Sequence, residues 1–164
     1  MSSGSARVIV ASTSAAAGIS TDSTGPAIRD WLVARGFEVP PPSVVADGDP
    51  VAAAVRAALS ERASVIITTG GTGISPSDRT PEAVDQLLDV RLPGLIEELR
   101  RRGAAALPAA LLTRGVAGFA GDTFVMTLPG SPGGVRDGLG VLEPVLSHLL
   151  AQRTGTPNNG HPPR

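Results

Sequence analysis

The most informative segment of this chain is Thr68-Thr69-Gly70-Gly71-Thr72-Gly73-Ile74-Ser75-Pro76-Ser77-Asp78-Arg79-Thr80-Pro81. It follows an apolar, strand-like segment at residues 63–67 and leads into a helix that Thr80 is expected to cap, with Pro81 in the first helical position. Three glycines within four residues let the backbone turn sharply and approach a ligand with no Cβ in the way. Backbone N–H groups in such a turn favour phosphates, and the Asp78 carboxylate suits a Mg²⁺ ion shared with them. The stretch therefore indicates nucleotide or phosphate chemistry.

Composition excludes several kinds of catalysis. The chain contains no Lys, Cys or Tyr, so Schiff-base, thiolate and phenol mechanisms are ruled out, as is a Walker A loop with its lysine. The two histidines, His148 and His161, are poorly placed for a Ser-His-Asp arrangement or a zinc site. Any catalysis must therefore depend on carboxylates, hydroxyls, arginines, backbone amides and a recruited metal.

Size and charge are those of an ordinary domain. The 164 residues suit a single domain, expected at residues 6–151 between a flexible N-terminus at 1–5 and a disordered, Pro-rich tail at 152–164. The net charge of −1 gives no electrostatic reason to expect nucleic acid or a membrane as partner. No run approaches the roughly 18 apolar residues of a membrane span, and residues 1–5 do not resemble a signal peptide. We therefore expect a soluble, cytoplasmic protein.

Strand-like and helix-like segments alternate along the chain. We predict strands at residues 6–11, 37–45, 64–68, 116–119 and 123–128, and helices at 25–35, 51–62, 80–89, 93–102, 104–113 and 135–151. The alternation predicts a three-layer α/β/α sandwich with a mostly parallel sheet. Ligands of such folds lie outside the carboxyl ends of the strands. Residues 12–14, Asp47, the Gly70 loop and the Gly130 loop all follow strands, so we expect them to line one edge of the sheet.

Each candidate residue also has a purely structural interpretation. Glycine clusters are common between a strand and a helix, and Asp78 could simply hydrogen-bond its own turn. Asp47 and Asp49 flank Gly48 and suit an ordinary turn. Ser131, followed by Pro132, fits the N-cap of a helix without any ligand. In the functional interpretation, one of Asp47 and Asp49 would join Asp78 in a magnesium site.

The motifs together resemble those of the MogA/MoaB family of molybdenum-cofactor biosynthesis proteins, which is related to the G domains of gephyrin and the plant Cnx protein. The resemblance covers about residues 7–150. Its most specific part is residues 68–73, continued by Asp78 and Thr80-Pro81-Glu82; it is supported by Leu92-Pro93-Gly94, Leu112-Thr113-Arg114 and Leu128-Pro129-Gly130-Ser131-Pro132.

The resemblance implies a molybdopterin adenylyltransferase, which converts ATP and molybdopterin into adenylyl-molybdopterin and pyrophosphate with Mg²⁺. It also implies a homotrimer or hexamer, and contact with the molybdenum-insertion enzyme of the same pathway. Asp47 and Asp78 match the family's catalytic, metal-binding aspartates. The implied nucleotide- and molybdopterin-binding residues are Ser12, Thr13, Gly70, Gly71, Thr72, Gly73, Ser75, Gly130, Ser131 and Pro132.

One departure from the family pattern supports a different function. Many members carry Ser-Asp after the first strand, where this chain has Ser12-Thr13, so one carboxylate is missing. The alternative is therefore a catalytically inactive protein of the MoaB type that binds molybdopterin or a nucleotide. A second alternative is a hydrolase that uses the same domain, as in competence/damage-inducible proteins.

Overall fold

The fold is built on one six-stranded sheet in a computed structural model that describes residues 3–156. The strands are β1 (Ala6–Ala11), β2 (Ser43–Val45), β3 (Val65–Thr69), β4 (Val90–Arg91), β5 (Ala117–Ala120) and β6 (Thr123–Leu128). Their order across the sheet is β2-β1-β3-β6-β5-β4. The first four strands in this order are parallel, whereas β5 runs antiparallel to both of its neighbours. The predicted mostly parallel sheet is confirmed.

Helices cover both faces of the sheet. They are α1 (Thr13–Ala16), α2 (Gly25–Ala34), α3 (Asp49–Ser60), α4 (Thr80–Asp85), α5 (Pro93–Ala106), α6 (Pro132–Leu142) and α7 (Leu146–Thr154), with a 3₁₀ helix at Pro108–Leu112. Side chains of β3 alternate between the faces: Ile67 belongs to the core that includes residues of α2, α5, α6 and α7, and Ile66 to the core that includes residues of α3 and α4. The predicted α/β/α sandwich is therefore confirmed, with an aliphatic core on each side of the sheet.

Several predicted element boundaries are wrong. The second strand contains only Ser43–Val45, because the three prolines at 40–42 have no N–H to donate to a neighbouring strand. The helix α5 does not stop at Gly103 but continues to Ala106. A Cβ on Gly103 would lie 2.7 Å from the Ala110 Cβ, so this glycine allows the 3₁₀ helix to pack closely.

Other helices and strands also differ from the prediction. The predicted loop at 12–24 contains the short helix α1, and the predicted helix at 80–89 ends at Asp85, before the unpredicted strand β4. The predicted C-terminal helix at 135–151 divides into α6 and α7 around Pro144, which cannot donate a helical hydrogen bond.

Residues of both predicted chain ends make defined contacts. Residues 152–154 belong to α7, and Arg153 Nε donates to the Gly121 carbonyl at 3.0 Å. At the other end, the Ser3 N–H donates to the Gly36 carbonyl at 3.0 Å, and Ser5 pairs with Glu38 in a parallel bridge. Residues 1–2 and 157–164, including the rest of the predicted tail, lie outside the described residues. Within residues 3–156 no helix is both long and apolar enough to cross a membrane.

The strands β1, β3 and β6 lie side by side and bring their following loops into direct contact. Gly70 follows β3 with φ +94°, and its N–H donates to the Leu128 carbonyl at 2.9 Å. A Cβ on Gly70 would overlap the carbonyl oxygen of Ala11, the last residue of β1. A Cβ on Gly130, after β6, would lie 3.3 Å from the Gly70 Cα. Only glycine fits at position 70, because both its conformation and its surroundings exclude a side chain.

We predict that Gly70→Ala lowers the free energy of unfolding by about 2 kcal/mol or more, since the added Cβ meets rigid backbone at a positive φ. Urea unfolding followed by circular dichroism measures this. Gly94→Ala is the matched control: Gly94 lies in α5 and a Cβ added to it would have nothing within 4 Å, so its replacement should be neutral or stabilise by up to about 1 kcal/mol. Equal stability of the two variants would contradict the prediction.

Candidate functional site

A cleft of about 530 Å³ opens beside the contacting loops. One wall is polar and consists of Asp78 together with residues 71–73, 130–131 and 133–134. The opposite wall is mostly apolar and comes from α5 and the 3₁₀ helix: Leu99, Ala106, Leu107, Ala109, Ala110 and Leu112. The volume suits a small organic molecule with one polar and one apolar side.

The polar wall carries unpaired hydrogen-bond donors. Within residues 3–156, the backbone N–H groups of Gly71, Thr72 and Gly73 donate to no acceptor, and neither do those of Gly130 and Ser131. Ser131 caps α6 as predicted, because its Oγ accepts from the Gly134 N–H at 3.1 Å. Two groups of free donors thus border the cleft, one of them at the N-terminus of an 11-residue helix. Such an arrangement favours anions.

Asp78 both closes its own turn and lines the cleft. Its Oδ2 accepts from the Ser75 N–H at 3.0 Å, and its own N–H donates to the Ser75 carbonyl at 2.9 Å. A Cβ on Gly73 would lie 2.7 Å from Asp78 Oδ2, so the carboxylate rests directly against the glycine-rich loop. Asp78 therefore hydrogen-bonds its own turn, as the structural interpretation expects, and its carboxylate still lines the cleft.

Asp47 contacts the same loop from another direction. Its Oδ1 accepts from the Arg79 N–H at 3.0 Å, and its N–H donates to Thr13 Oγ1 at 3.3 Å. A Cβ on Gly71 would overlap Asp47 Oδ2. Asp47 lines a second cleft, of about 500 Å³, and not the one that Asp78 lines. The structure therefore brings both carboxylates to the glycine-rich loop without placing them in one cleft.

The structure also distinguishes Asp47 from Asp49. Asp49 is the exposed first residue of α3, where its charge complements the helix dipole, and it makes no hydrogen bond to the glycine-rich loop. Asp47 is the carboxylate of this pair that contacts the loop.

The prediction that Thr80 caps α4 is wrong. Arg79 occupies the N-cap position and Thr80 is the first residue of the helix, with its N–H donating to the Gly71 carbonyl at 3.1 Å. Thr80 is completely buried, and among the described residues its Oγ1 has no hydrogen-bond partner. A Cβ on Gly71 would overlap this hydroxyl as well as the Asp47 carboxylate, so the two oxygens share one side of the loop.

The remaining predicted site residues, Ser12, Thr13, Ser75 and Pro132, do not line the main cleft. Ser12 caps α1, accepting from the Ala15 N–H at 3.2 Å, and lines a smaller cleft of about 140 Å³ on the other side of Gly70. Thr13 and Ser75 are exposed, and each reaches the site through its bond to an aspartate. Pro132 is the first residue of α6.

Arg114 is the residue that the sequence prediction of the site missed. Its N–H donates to the Thr72 carbonyl, its Nε to the Gly73 carbonyl and its Nη2 to the Asp78 carbonyl, each at 2.8 Å. Its Nη1 pairs with Glu82. The Leu112-Thr113-Arg114 motif could have identified this residue, but nothing in the sequence shows that it holds a loop about forty residues away.

The Arg114 guanidinium also affects the acidity of Glu82. The hydrogen bond from Arg114 is the main cause that lowers the pKa of this carboxyl below its usual value. Glu82 therefore remains ionised in the folded protein at a pH where the unfolded chain already begins to bind a proton.

The chain is a doubly wound α/β domain with a cleft, bordered by free N–H donors, at the carboxyl ends of its strands, which is where ligands of such folds lie. Comparisons with known proteins identify relatives with this fold. A family model described as "Probable molybdopterin binding domain" matches residues 7–148. A solved structure of MogA is 54% identical, with a TM-score of 0.88, covering 90% of this chain and 98% of the other. MoaB from Thermus thermophilus is 42% identical, with a TM-score of 0.85, covering 94% and 98%.

A curated relative from Synechococcus elongatus, the molybdenum cofactor biosynthesis bifunctional protein, is 38% identical over 147 residues, which is 89% of this chain and 46% of the relative. The chain thus spans about half the length of the bifunctional relatives it matches. This chain belongs to the MogA/MoaB family of molybdenum-cofactor biosynthesis proteins.

We predict that Arg114→Ala lowers the free energy of unfolding by about 1–3 kcal/mol, because the Gly73 and Asp78 carbonyls lose their charged donor. Arg114→Lys should recover only part of this loss, since one ammonium cannot reach the same acceptors in fork geometry. Arg136→Ala, at an exposed position of α6, is the control and should change stability by less than about 0.5 kcal/mol. If Arg114→Ala and Arg136→Ala unfold at the same urea concentration, Arg114 does not hold the loop.

Stability should also depend on the protonation of Glu82. The pKa of Glu82 is lowered in the folded protein. The ion pair of Glu82 with Arg114 therefore makes its full contribution to the stability of the folded protein above the unfolded pKa of about 4.3, and this contribution is lost as pH falls through the folded pKa. We expect Glu82→Gln to reduce the loss of stability as pH falls below about 4.3, the pKa of the unfolded chain. The difference should stay within about 1 kcal/mol, since the pair is exposed. Parallel stability curves for the two proteins would refute this.

Proposed function

We propose that this protein is a Mg²⁺-dependent molybdopterin adenylyltransferase, which transfers AMP from ATP to the terminal phosphate of molybdopterin and releases pyrophosphate. The observation that carries the proposal is the pair of loops with free N–H groups, 71–73 and 130–131, on one wall of a cleft whose other wall is apolar. Membership of the MogA/MoaB family gives the pathway. The amide groups suit the phosphates of the substrates, and the apolar wall suits a flat ring.

The residues present suit this reaction. An oxygen of the molybdopterin phosphate attacks the α-phosphorus of ATP, the bond from that phosphorus to the β-phosphate oxygen breaks, and pyrophosphate leaves with the bonding electrons. No enzyme nucleophile is required, which agrees with a chain that has neither Lys nor Cys. The protein must align two anions and offset their charge, and the free amides of the glycine-rich loop can do both.

The donor set at the loop fits magnesium that is shared with a nucleotide. Asp47 and Asp78 offer carboxylate oxygens beside Gly71 and Gly73, and Mg²⁺ uses one or two protein carboxylates and takes its other ligands from water and phosphate. No group of three or more Asp, Glu, His or Cys residues that could hold a metal occurs in residues 3–156. Asp47 and Asp78 would hold the ion, which would offset phosphate charge when bound. Their hydrogen bonds to Arg79 and Ser75 keep both carboxylates in place.

A non-catalytic binding protein is the second candidate function. It is favoured by Thr13, which stands where many family members carry an aspartate, and by the separate clefts of Asp47 and Asp78. In the structure the Thr13 hydroxyl accepts the Asp47 N–H, so it supports Asp47 without adding a charge.

The proposal extends to assembly and location. We infer a homotrimer, or a hexamer, in the cytoplasm, where the product would pass to the molybdenum-insertion enzyme of the same pathway. Exposed apolar side chains support self-association: Leu107 is 62% exposed, Leu111 58% and Leu112 50%, and the first and last of these also line the cleft.

We predict that Asp78→Asn reduces Mg²⁺-dependent release of pyrophosphate from ATP and molybdopterin by about 100-fold or more, the scale typical of losing one charge-stabilising group. Asp30→Asn, at an exposed position of α2, is the control and should keep the wild-type rate. A coupled phosphate assay after pyrophosphatase treatment measures the rate.

Calorimetric titration with each substrate separates the two candidate functions. If the wild-type protein binds ATP and molybdopterin but releases no pyrophosphate, the adenylyltransferase proposal fails and the binding protein remains.

A further inference from the structure

The main cleft contains a carboxylate that the reaction outlined above does not use. Asp137 lies on α6, six residues after the cap residue Ser131, and lines the cleft. It is partly buried, and its Oδ2 would lie 3.8 Å from a Cβ placed on Gly103 of α5. Asp137 therefore faces the apolar wall across a position where glycine leaves space.

Within residues 3–156 the Asp137 carboxylate has no hydrogen bond and no ion pair. Two arginines of α5, the helix that contains Gly103, have other partners: Arg102 pairs with Glu98 at 3.0 Å, and Arg100 donates to the Thr113 carbonyl at 2.8 Å. Arg136, its neighbour in sequence, is exposed. When a ligand fills the cleft, this carboxylate loses its hydration beside the apolar wall and gains nothing in return, unless the ligand itself supplies a donor.

We propose that Asp137 determines specificity for the pterin by accepting two N–H groups from its 2-aminopyrimidin-4-one ring. This inference rests on the proposed function. An ionised carboxylate only accepts hydrogen bonds, and its two oxygens accept best from two parallel donors. The ring N–H and the adjacent amino group of a pterin provide that pair on one edge. Guanine has the same edge.

Adenine does not match Asp137. The corresponding edge of adenine has one amino donor beside a ring nitrogen that accepts, so one carboxylate oxygen would face a lone pair. A site built to bond a donor rejects an analogue without it, because the buried acceptor stays unpaired. The pterin, and not the adenine of ATP, is therefore the ring that occupies this cleft, against the apolar wall of α5 and the 3₁₀ helix. Its phosphate would extend toward the amides of the polar wall.

The test compares Asp137→Asn with wild type and with Asp30→Asn. Asparagine keeps the size of the side chain and replaces one acceptor by a donor. We expect the KM for molybdopterin to rise about 10- to 100-fold, while the KM for ATP changes less than about twofold. Thermal unfolding should be unchanged or improved, because the carboxylate has no partner to lose.

A second measurement does not depend on turnover. We expect 6-hydroxymethylpterin, followed by quenching of its fluorescence, to bind the wild-type protein at least about tenfold more tightly than Asp137→Asn. Guanosine should compete with it better than adenosine. Equal binding of the pterin by both proteins, no binding by either, or better competition by adenosine would overturn the inference.

The two proposals can fail separately. An unchanged KM for molybdopterin in an active Asp137→Asn enzyme would disprove the role of Asp137 and leave the adenylyltransferase standing. Absence of pyrophosphate release from the wild type would disprove the transferase, and the pterin titration would still decide the role of Asp137.

Discussion

The close backbone contact among the ends of β1, β3 and β6 is the constraint on which the site depends. Gly70 touches the Ala11 carbonyl on one side and Gly130 on the other, and its N–H donates to Leu128. The loops that follow β3 and β6 both border the cleft. The free amides are a consequence: residues 71–73 turn away from the sheet before α4 begins, so no neighbouring strand offers them an acceptor.

Structural and functional interpretations of the aspartates do not compete in this fold. Asp47 accepts the Arg79 N–H with one carboxylate oxygen and places the other beside Gly71. Asp78 accepts from Ser75 and still reaches the cleft. Each hydrogen bond fixes a carboxylate that would otherwise rotate, and a fixed charge loses less entropy when a ligand binds. Arg114 acts from behind the loop, where its guanidinium holds two carbonyl groups and leaves the amide side open.

The sequence predicted those features that depend on residues close together in the chain. The buried strand β3, the glycine-rich loop after it and the Ser131 cap all follow from neighbouring residues, and the structure contains each of them. The errors arose where distant segments meet. Gly103 looks like a helix stop until the 3₁₀ helix packs against it, and Arg114 finds its acceptors some forty residues earlier in the chain. The residues of the turn do not show whether Asp47 or Asp49 contacts the glycine-rich loop. Only the position of that loop in the fold distinguishes the two.

The absence of lysine has a consequence for how charge would be balanced. On the proposed function, a nucleotide triphosphate and a phosphorylated pterin would bring several negative charges to one edge of the sheet. The protein offers neutral amides and the exposed Arg79 there, whereas Arg114 already pairs with Glu82 and with carbonyl groups. Asp47 and Asp78 add negative charge of their own beside the loop. Two carboxylates without a third acidic partner among residues 3–156 form a weak site for an isolated cation, but they complete the coordination of one that arrives with phosphates. Metal affinity in this site should therefore follow nucleotide binding, because the substrate supplies most of the oxygen ligands.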